Sequence, residues 1–349
     1  MTKAQSTSES NFIVGIDLGT SRSAIVTENG VKGVVESIVG WPQDIIGLKV
    51  LGNSIAIGDT ALEFREFLEI SYPLANGVIK EGVKRDVEAA DELIKYILSL
   101  AEIPEKKKIC GIVGVPAKAS LQSKQVLLNL TKKHMSQVTL ISEPFAIAYR
   151  EERLNNSIII DLGAGTINFC TMKGRIPDEN SQVSLEKAGN YVDTILFDAL
   201  KRKFPDAQLT LNIVKKFKEK HGTILSGGGN IMVELRMHGK PQTLDITEEM
   251  INACSTFVPN MIEEIKKLVV SFDPESQEEA MKNIILAGGM SKIKGYDSVI
   301  KEALSDYGDA QVHALEDPLY AVAEGALKIG TDIPVKYWSQ LGETVAVGK

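Results

Sequence analysis

Two segments of this chain follow the same pattern. Asn11-Phe12-Ile13-Val14-Gly15-Ile16-Asp17-Leu18-Gly19-Thr20-Ser21 is an apolar run that ends in Asp-Leu-Gly and hydroxyl residues. Ser157-Ile158-Ile159-Ile160-Asp161-Leu162-Gly163-Ala164-Gly165-Thr166 does the same about half a chain later. Each continues into a second strand-like run, Ser23 to Thr27 and Ile167 to Met172. Strand, tight turn and strand make a β-hairpin with an acidic residue at the turn. Two such hairpins predict a duplicated α/β architecture.

Helical patterns follow each hairpin. Val87 to Ala101 carries Ala90, Leu93, Ile94, Ile97 and Leu98 at helical spacing. Leu121 to His134 is a second candidate. Thr247-Glu248-Glu249 reads as a cap to a helix running to Val270, with Pro259 as a kink. Asp317-Pro318 reads as the cap of a helix over Ala321 to Ile329. Ile109 to Val115 and Ile284 to Ala287 are almost wholly apolar, as strands buried on both faces are. The stretches Trp41 to Lys84 and Gly189 to Asp245 are less regular. They read as smaller subdomains inserted into the two halves. The expected division is 1–155, with an insertion at about 41–84, and 156–317, with an insertion at about 189–247. Residues 318–349 then form a helix returning to the first half, plus a tail.

The length of 349 residues accommodates two domains, and 44% hydrophobic content supplies their cores. A net charge of -7 argues against a nucleic-acid surface, which favours clustered Lys and Arg. The densest basic run, Glu105-Lys106-Lys107-Lys108, reads as a solvated turn. Cys110, Cys170 and Cys254 lie far apart without metal-ligand spacing and read as core thiols of a reducing cytosol. His134, His221, His238 and His313 show no ligand spacing either. The polar stretch from Met1 to Asn11 resembles neither a signal peptide nor an amphipathic anchor. No apolar run reaches the roughly 18 residues of a membrane span. Any membrane association is therefore expected to go through a partner.

An Asp-x-Gly-Thr-Ser hairpin turn suits phosphate. Glycine lets the backbone approach an anion, and successive N–H groups and hydroxyls cradle its oxygens. A carboxylate there cannot touch phosphate favourably, so it would hold Mg²⁺, usually through waters. Two facing turns would clamp a triphosphate. Asp17, Gly19, Thr20 and Ser21 would form one side, and Asp161, Gly163, Ala164, Gly165 and Thr166 the other. A single Asp-Gly turn is as readily an ordinary hairpin; the matched pair carries the argument. The third element is Ile284-Ile285-Leu286-Ala287-Gly288-Gly289-Met290-Ser291, a buried strand opening into Gly-Gly. A flat purine or its ribose can lie against such a backbone.

In order, these motifs resemble the actin–sugar kinase–heat-shock-70 superfold, from about Phe12 to Ile329. Tyr72-Pro73-Leu74-Ala75-Asn76-Gly77-Val78-Ile79 is similar to the Tyr-Pro…Gly segment of actins. Val113-Gly114-Val115-Pro116-Ala117 and Ser142-Glu143-Pro144-Phe145-Ala146 are similar to the Pro-Ala and Glu-Pro pairs of bacterial actins. Val39-Gly40-Trp41-Pro42, Gly47-Leu48-Lys49, Lys187-Ala188-Gly189-Asn190-Tyr191 and Lys336-Tyr337-Trp338-Ser339-Gln340-Leu341-Gly342 resemble the magnetosome branch of those actins.

The resemblance implies an α/β, duplicated actin-like (ribonuclease H-like) ATPase fold with ATP and Mg²⁺ in a cleft between its halves. It implies that Glu143 orients the attacking water and that Asp161 shares in positioning water and metal. Asp17 and Asp161 would serve the metal's shell. Gly288, Gly289 and Met290 would face adenosine. Gly189 and Asp193 would lie beside the ribose, or simply begin a helix. Lys218 and Glu219 would line adenine and ribose, or belong to a solvated helix face. Ile167 and Asn168 replace the hydroxyl and Asp that often follow Thr166 in the family, which bears on hydrolysis more than on binding. Arg22 either reaches a phosphate or lies on the surface, and the surface reading is preferred. Trp41 and Trp338 are either packing or filament-contact residues.

The implied activity is ATP hydrolysis coupled to head-to-tail self-assembly, a heterologous contact that gives filaments. The implied place is the cytoplasm, alongside magnetosome membranes, with magnetosome-associated adaptor proteins as partners. Cell-shape and plasmid-segregating actins are the alternatives within the family. A small-molecule kinase of the same superfold lacks a visible sugar motif here. A chaperone domain would need a substrate domain after the last helix.

Overall fold

The computed structural model describes residues 11–80 and 82–338. The polar stretch before Asn11 and the tail residues Ser339 to Gly342 lie outside them. The chain divides into two compact units. One holds the described residues up to Glu151 and again from Tyr320; the other holds Glu152–Leu319.

The first unit begins with β1 (Asn11–Leu18), β2 (Arg22–Thr27) and β3 (Lys32–Glu36), an antiparallel meander. A small inserted layer follows: β4 (Val39–Pro42), α1 (Ile45–Leu51), β5 (Ala56–Ile57), α2 (Asp59–Glu63) and β6 (Leu68–Ser71). Strands β4, β5 and β6 form one sheet, and a short pair, β7 (Leu74–Ala75) and β8 (Val78–Ile79), comes next. Asp44 caps α1 by accepting from the N–H groups of Ile46 and Gly47, each at 2.8 Å. Then come α3 (Lys84–Ser99), β9 (Lys108–Val115), α4 (Leu121–Thr131), β10 (Gln137–Ser142) and α5 (Glu143–Arg150). The main sheet has the order β10-β9-β1-β2-β3, and β9 and β10 run parallel to β1. The apolar stripe of α3, including Leu93, Ile94 and Ile97, is buried with Phe12, Val14 and Ile16 of β1 in one core.

The second unit repeats that plan. β11 (Asn155–Leu162), β12 (Ile167–Lys173) and β13 (Gln182–Leu185) form an antiparallel meander. Next are α6 (Gly189–Lys203), α7 (Leu211–His221) and a hairpin of β14 (Met232–Met237) and β15 (Lys240–Asp245). α8 (Thr247–Ser255), α9 (Val258–Val270), α10 (Pro274–Met281), β16 (Ile284–Ala287), α11 (Tyr296–Leu304) and β17 (Val312–Ala314) complete it. Its sheet order is β13-β12-β11-β16-β17, with β16 and β17 parallel to their neighbours. Strand for strand this is the topology of the first sheet, and the duplicated α/β fold is borne out.

Finally α12 (Ala321–Asp332) packs against β1 and α5 in the first unit. A Cβ built at Gly325 would lie 1.9 Å from the Ala146 carbonyl oxygen, so only glycine allows α12 and α5 to meet so closely. Two helix expectations need correction. The stretch from Thr247 to Val270 is two helices, not one kinked helix. Pro259 has no N–H to donate, which suits it to the first turn of α9, and the chain breaks before it. The N-terminal flank of α12 is Tyr320 without a side-chain cap; Asp317-Pro318 lies in the preceding turn.

Candidate functional site

In the first unit, β1 delivers Asp17 near its end, paired with Ala24 of β2 and Gly114 of β9. The turn from Gly19 to Ser21 is braced from behind. Ser37 donates its hydroxyl to the Gly19 carbonyl at 2.7 Å, and its N–H bonds the Ser21 carbonyl at 2.8 Å. Thr20 Oγ1 accepts the Gly77 N–H at 2.7 Å. A Cβ at Gly77, where φ is +71°, would strike Pro116 Cγ at 2.4 Å and come within 3.7 Å of Glu143 Oε1. Three sequence-distant segments thus meet: the Tyr-Pro…Gly run, the Pro-Ala pair and the Glu-Pro pair. Glu143 opens α5 and is only 6% exposed. Arg22 bonds Glu36 Oε1 at 2.6 Å across the β2–β3 register and is half-buried there.

In the second unit, Asp161 holds the same place in its strand. It pairs with Asn168 of β12 and Ala287 of β16. The Gly163 N–H bonds the Thr166 carbonyl at 3.0 Å and closes the turn. Thr166 Oγ1 accepts from Asn168 Nδ2 at 3.1 Å, and Asn168 Oδ1 accepts from Ser184 at 2.5 Å. Asn168 therefore fixes the turn's hydroxyl. Ile167 is fully buried in the core, which accounts for an apolar residue there.

The start of α6 is pressed onto this turn. Gly189 and Asn190 donate their N–H groups to the carbonyls of Gly163 at 3.2 Å and Ala164 at 2.8 Å. A Cβ at Gly189 would lie 3.2 Å from Ala164 Cα, 3.2 Å from Met290 Sδ and 3.3 Å from the Gly163 oxygen. At Gly288, with φ +76°, a Cβ would meet Asp161 Oδ1 and the Leu162 carbonyl at 2.5 Å. At Gly289 it would meet nothing within 4 Å, so that side of the backbone is open. The Gly163 turn, the first turn of α6 and the Gly288–Met290 segment form one cluster.

Lys218 and Glu219 part company. Glu219 is exposed. Lys218 turns inward from α7, and its Nζ donates to the Gly189 carbonyl at 2.7 Å. It also lies 2.8 Å from Asp193 Oδ1, both side chains being 8% exposed. That approach is a charge contact without hydrogen-bond alignment, since the same oxygen is a buried acceptor with no aligned donor. Burial pushes the Asp193 carboxyl above its usual range against the pull of Lys218. Val214 and Lys218 stand four apart, the spacing of one helix face, and both are buried.

All three cysteines are buried and free. Burial pushes the Cys254 thiol up to about 11. Trp338 is 3% exposed and donates to the Ile333 carbonyl at 2.9 Å, a packing role. Trp41 is partly buried under the Arg85 guanidinium, 3.7 Å from its ring. Among the described residues no three His, Cys, Asp or Glu side chains gather into a metal cage, and no helix is long and apolar enough to cross a membrane.

Paired hairpin turns on duplicated sheets, with a Gly-Gly segment beside the second turn, define an actin-like protein. The family model for MreB/Mbl protein matches residues 11–335, and the chain belongs to that family. It is 39% identical to the actin-like protein MamK of Magnetospirillum gryphiswaldense over 98% of this chain and 95% of the relative. It is also similar to a solved MamK double helical filament, with TM-score 0.90 and 39% identity over 93% of this chain and all of that one. A solved non-polymerising MamK mutant bound to AMPPNP matches with TM-score 0.71, 39% identity and the same coverage.

Proposed function

We propose that this protein is a filament-forming actin that binds ATP with Mg²⁺ and hydrolyses it, and that it positions magnetosomes through adaptor proteins. The observation that carries the nucleotide reading is the convergence on Gly189. Its missing side chain lets the phosphate-type turn, the first turn of α6 and Met290 pack directly against one another, beside the open backbone at Gly289. The donor set fits the group: turn N–H groups and the Thr166 hydroxyl for phosphate, open backbone at Gly289 for the base, and the Asp193 carboxylate for a ribose hydroxyl. A cation there would draw most of its oxygens from phosphate and water, the habit of Mg²⁺, with Asp17 and Asp161 as the protein's share. Bound Mg²⁺ supplies charge neutralisation of the phosphate oxygens.

In this reading Gly19, Thr20 and Ser21 serve the terminal phosphate. Glu143 accepts a hydrogen bond from a water and aims it in line, which is most of what such hydrolysis asks of a protein. Its burial and its place at the head of a rigid helix suit that task. Assembly is supported by relatives: a MamK at 39% identity forms a double helical filament. The direct test is sedimentation of the purified protein with Mg²⁺ and ATP, with ADP, and with neither. Pelleting that depends on nucleotide supports the reading. A protein that stays in the supernatant with ATP at every concentration overturns the filament part.

A further inference from the structure

We propose that Asn168 is a positioning residue that keeps the second phosphate-type turn a hydrogen-bond donor and so lessens its dependence on a cation. The inference rests on the nucleotide reading above. Strands β11, β12 and β13 set Asp161, Asn168 and Ser184 directly opposite one another, so their side chains share one face of the sheet. Ala287 of β16 continues the row beyond Asp161. Asn168 is fully buried in it.

The duplicated first sheet supplies an internal comparison. There Asp17 stands opposite Ala24 of β2, and Ala24 stands opposite Val34 of β3. Gly114 of β9 lies on the other side of Asp17. The same place in the fold thus holds a small apolar side chain in one half and an amide in the other. Packing at this position does not call for a polar group. A buried amide costs free energy unless its partners are supplied, and here Thr166 and Ser184 supply them.

The hydrogen bonds run in one direction. Ser184 donates to Asn168 Oδ1, and Asn168 Nδ2 donates to Thr166 Oγ1. The Thr166 oxygen accepts, so its single hydrogen can point to a phosphate oxygen. Aspartate, which often stands here in the family, has the shape of asparagine but when ionised only accepts. It would draw the Thr166 hydrogen to itself and set a second carboxylate directly opposite Asp161. Both changes turn lone pairs and negative charge toward phosphate, and a divalent cation is then needed to offset them. With Asn168 the turn holds phosphate by donation, and the cation has less charge to offset.

The test titrates a fluorescent ATP analogue against wild type, Asn168→Asp and Asn168→Ala, each with Mg²⁺ and with EDTA, after circular dichroism has checked the fold. The quantity read is the loss of affinity when the cation is removed. That loss should be about tenfold or more greater in Asn168→Asp than in wild type, with the two affinities in Mg²⁺ within about threefold of each other. Asn168→Ala removes the donor and adds no charge, so it should weaken binding by a similar factor in both conditions. A merely structural amide would lower the melting temperature and leave the loss in Asn168→Asp at the wild-type value; that outcome overturns the proposal. If Asn168→Asp does not fold, a double-mutant cycle decides. The affinity lost in Asn168→Ala should vanish in a Thr166→Val background, and a loss that persists undiminished there overturns the proposal. Wild type that binds no nucleotide overturns the ATP reading itself, and this inference with it.

Discussion

The Thr20 hydroxyl accepts a hydrogen bond from the backbone N–H of Gly77 at 2.7 Å, across 57 residues of sequence. This bond ties the first phosphate-type turn to the segment that abuts Pro116 and Glu143. Thr20→Val keeps the shape and removes the acceptor, leaving a partly buried N–H without its partner. The expected cost is about 1 kcal/mol of stability, with weaker ATP binding, while Thr20→Ser stays near wild type. Urea unfolding and nucleotide titration of the two variants check it.

Gly288→Ala should be severe. Its φ of +76° and ψ of 161° fall in a region essentially reserved for glycine. Alanine there costs about 1–3 kcal/mol in backbone strain alone. The added methyl also meets Leu162 backbone at 2.5 Å. Gly289→Ala, one residue on, meets nothing within 4 Å. Thermal melts of the pair should therefore separate clearly, with Gly289→Ala near wild type.

Acid stability should depend on Glu324. Burial alone would push its carboxyl up. Hydrogen bonds and charge from Lys32 and Arg150 outweigh this and hold it below its ordinary value. A carboxylate with a depressed folded-state value contributes stability above the ordinary value of 4.5 and loses it as pH falls through the folded one. Glu324→Gln should therefore be less stable than wild type at neutral pH. The gap should close as pH drops below the ordinary carboxylate value. Urea midpoints of both proteins across that range measure it.

Much of the fold was legible because its strands are apolar runs interrupted by glycine turns, a pattern that tertiary contacts do not override. The two Asp-Leu-Gly turns read as hairpins, and Asp17 and Asp161 do hold the same register in matching sheets. Pro259 read as a kink in one helix, whereas its preference for a first helical turn makes it part of the start of a new one. Lys218 was ambiguous among Lys215, Lys216 and Lys220 because charge pattern does not reveal a buried counter-charge one helix away. Asp193 is that charge. Asn168 read only as a departure from the Asp that often stands there in the family. In the fold it is the donor that fixes Thr166, a role that depends on Ser184 in the adjacent strand and so could not be read locally.

The central claim is that nucleotide hydrolysis and assembly belong to one protein and that Glu143 serves only the first. Its most direct test is parallel pelleting and phosphate release by wild type and Glu143→Ala with Mg²⁺ and ATP. The account predicts that both pellet and that the variant releases phosphate about a hundredfold more slowly. Pelleted Glu143→Ala that releases phosphate at the wild-type rate would contradict it.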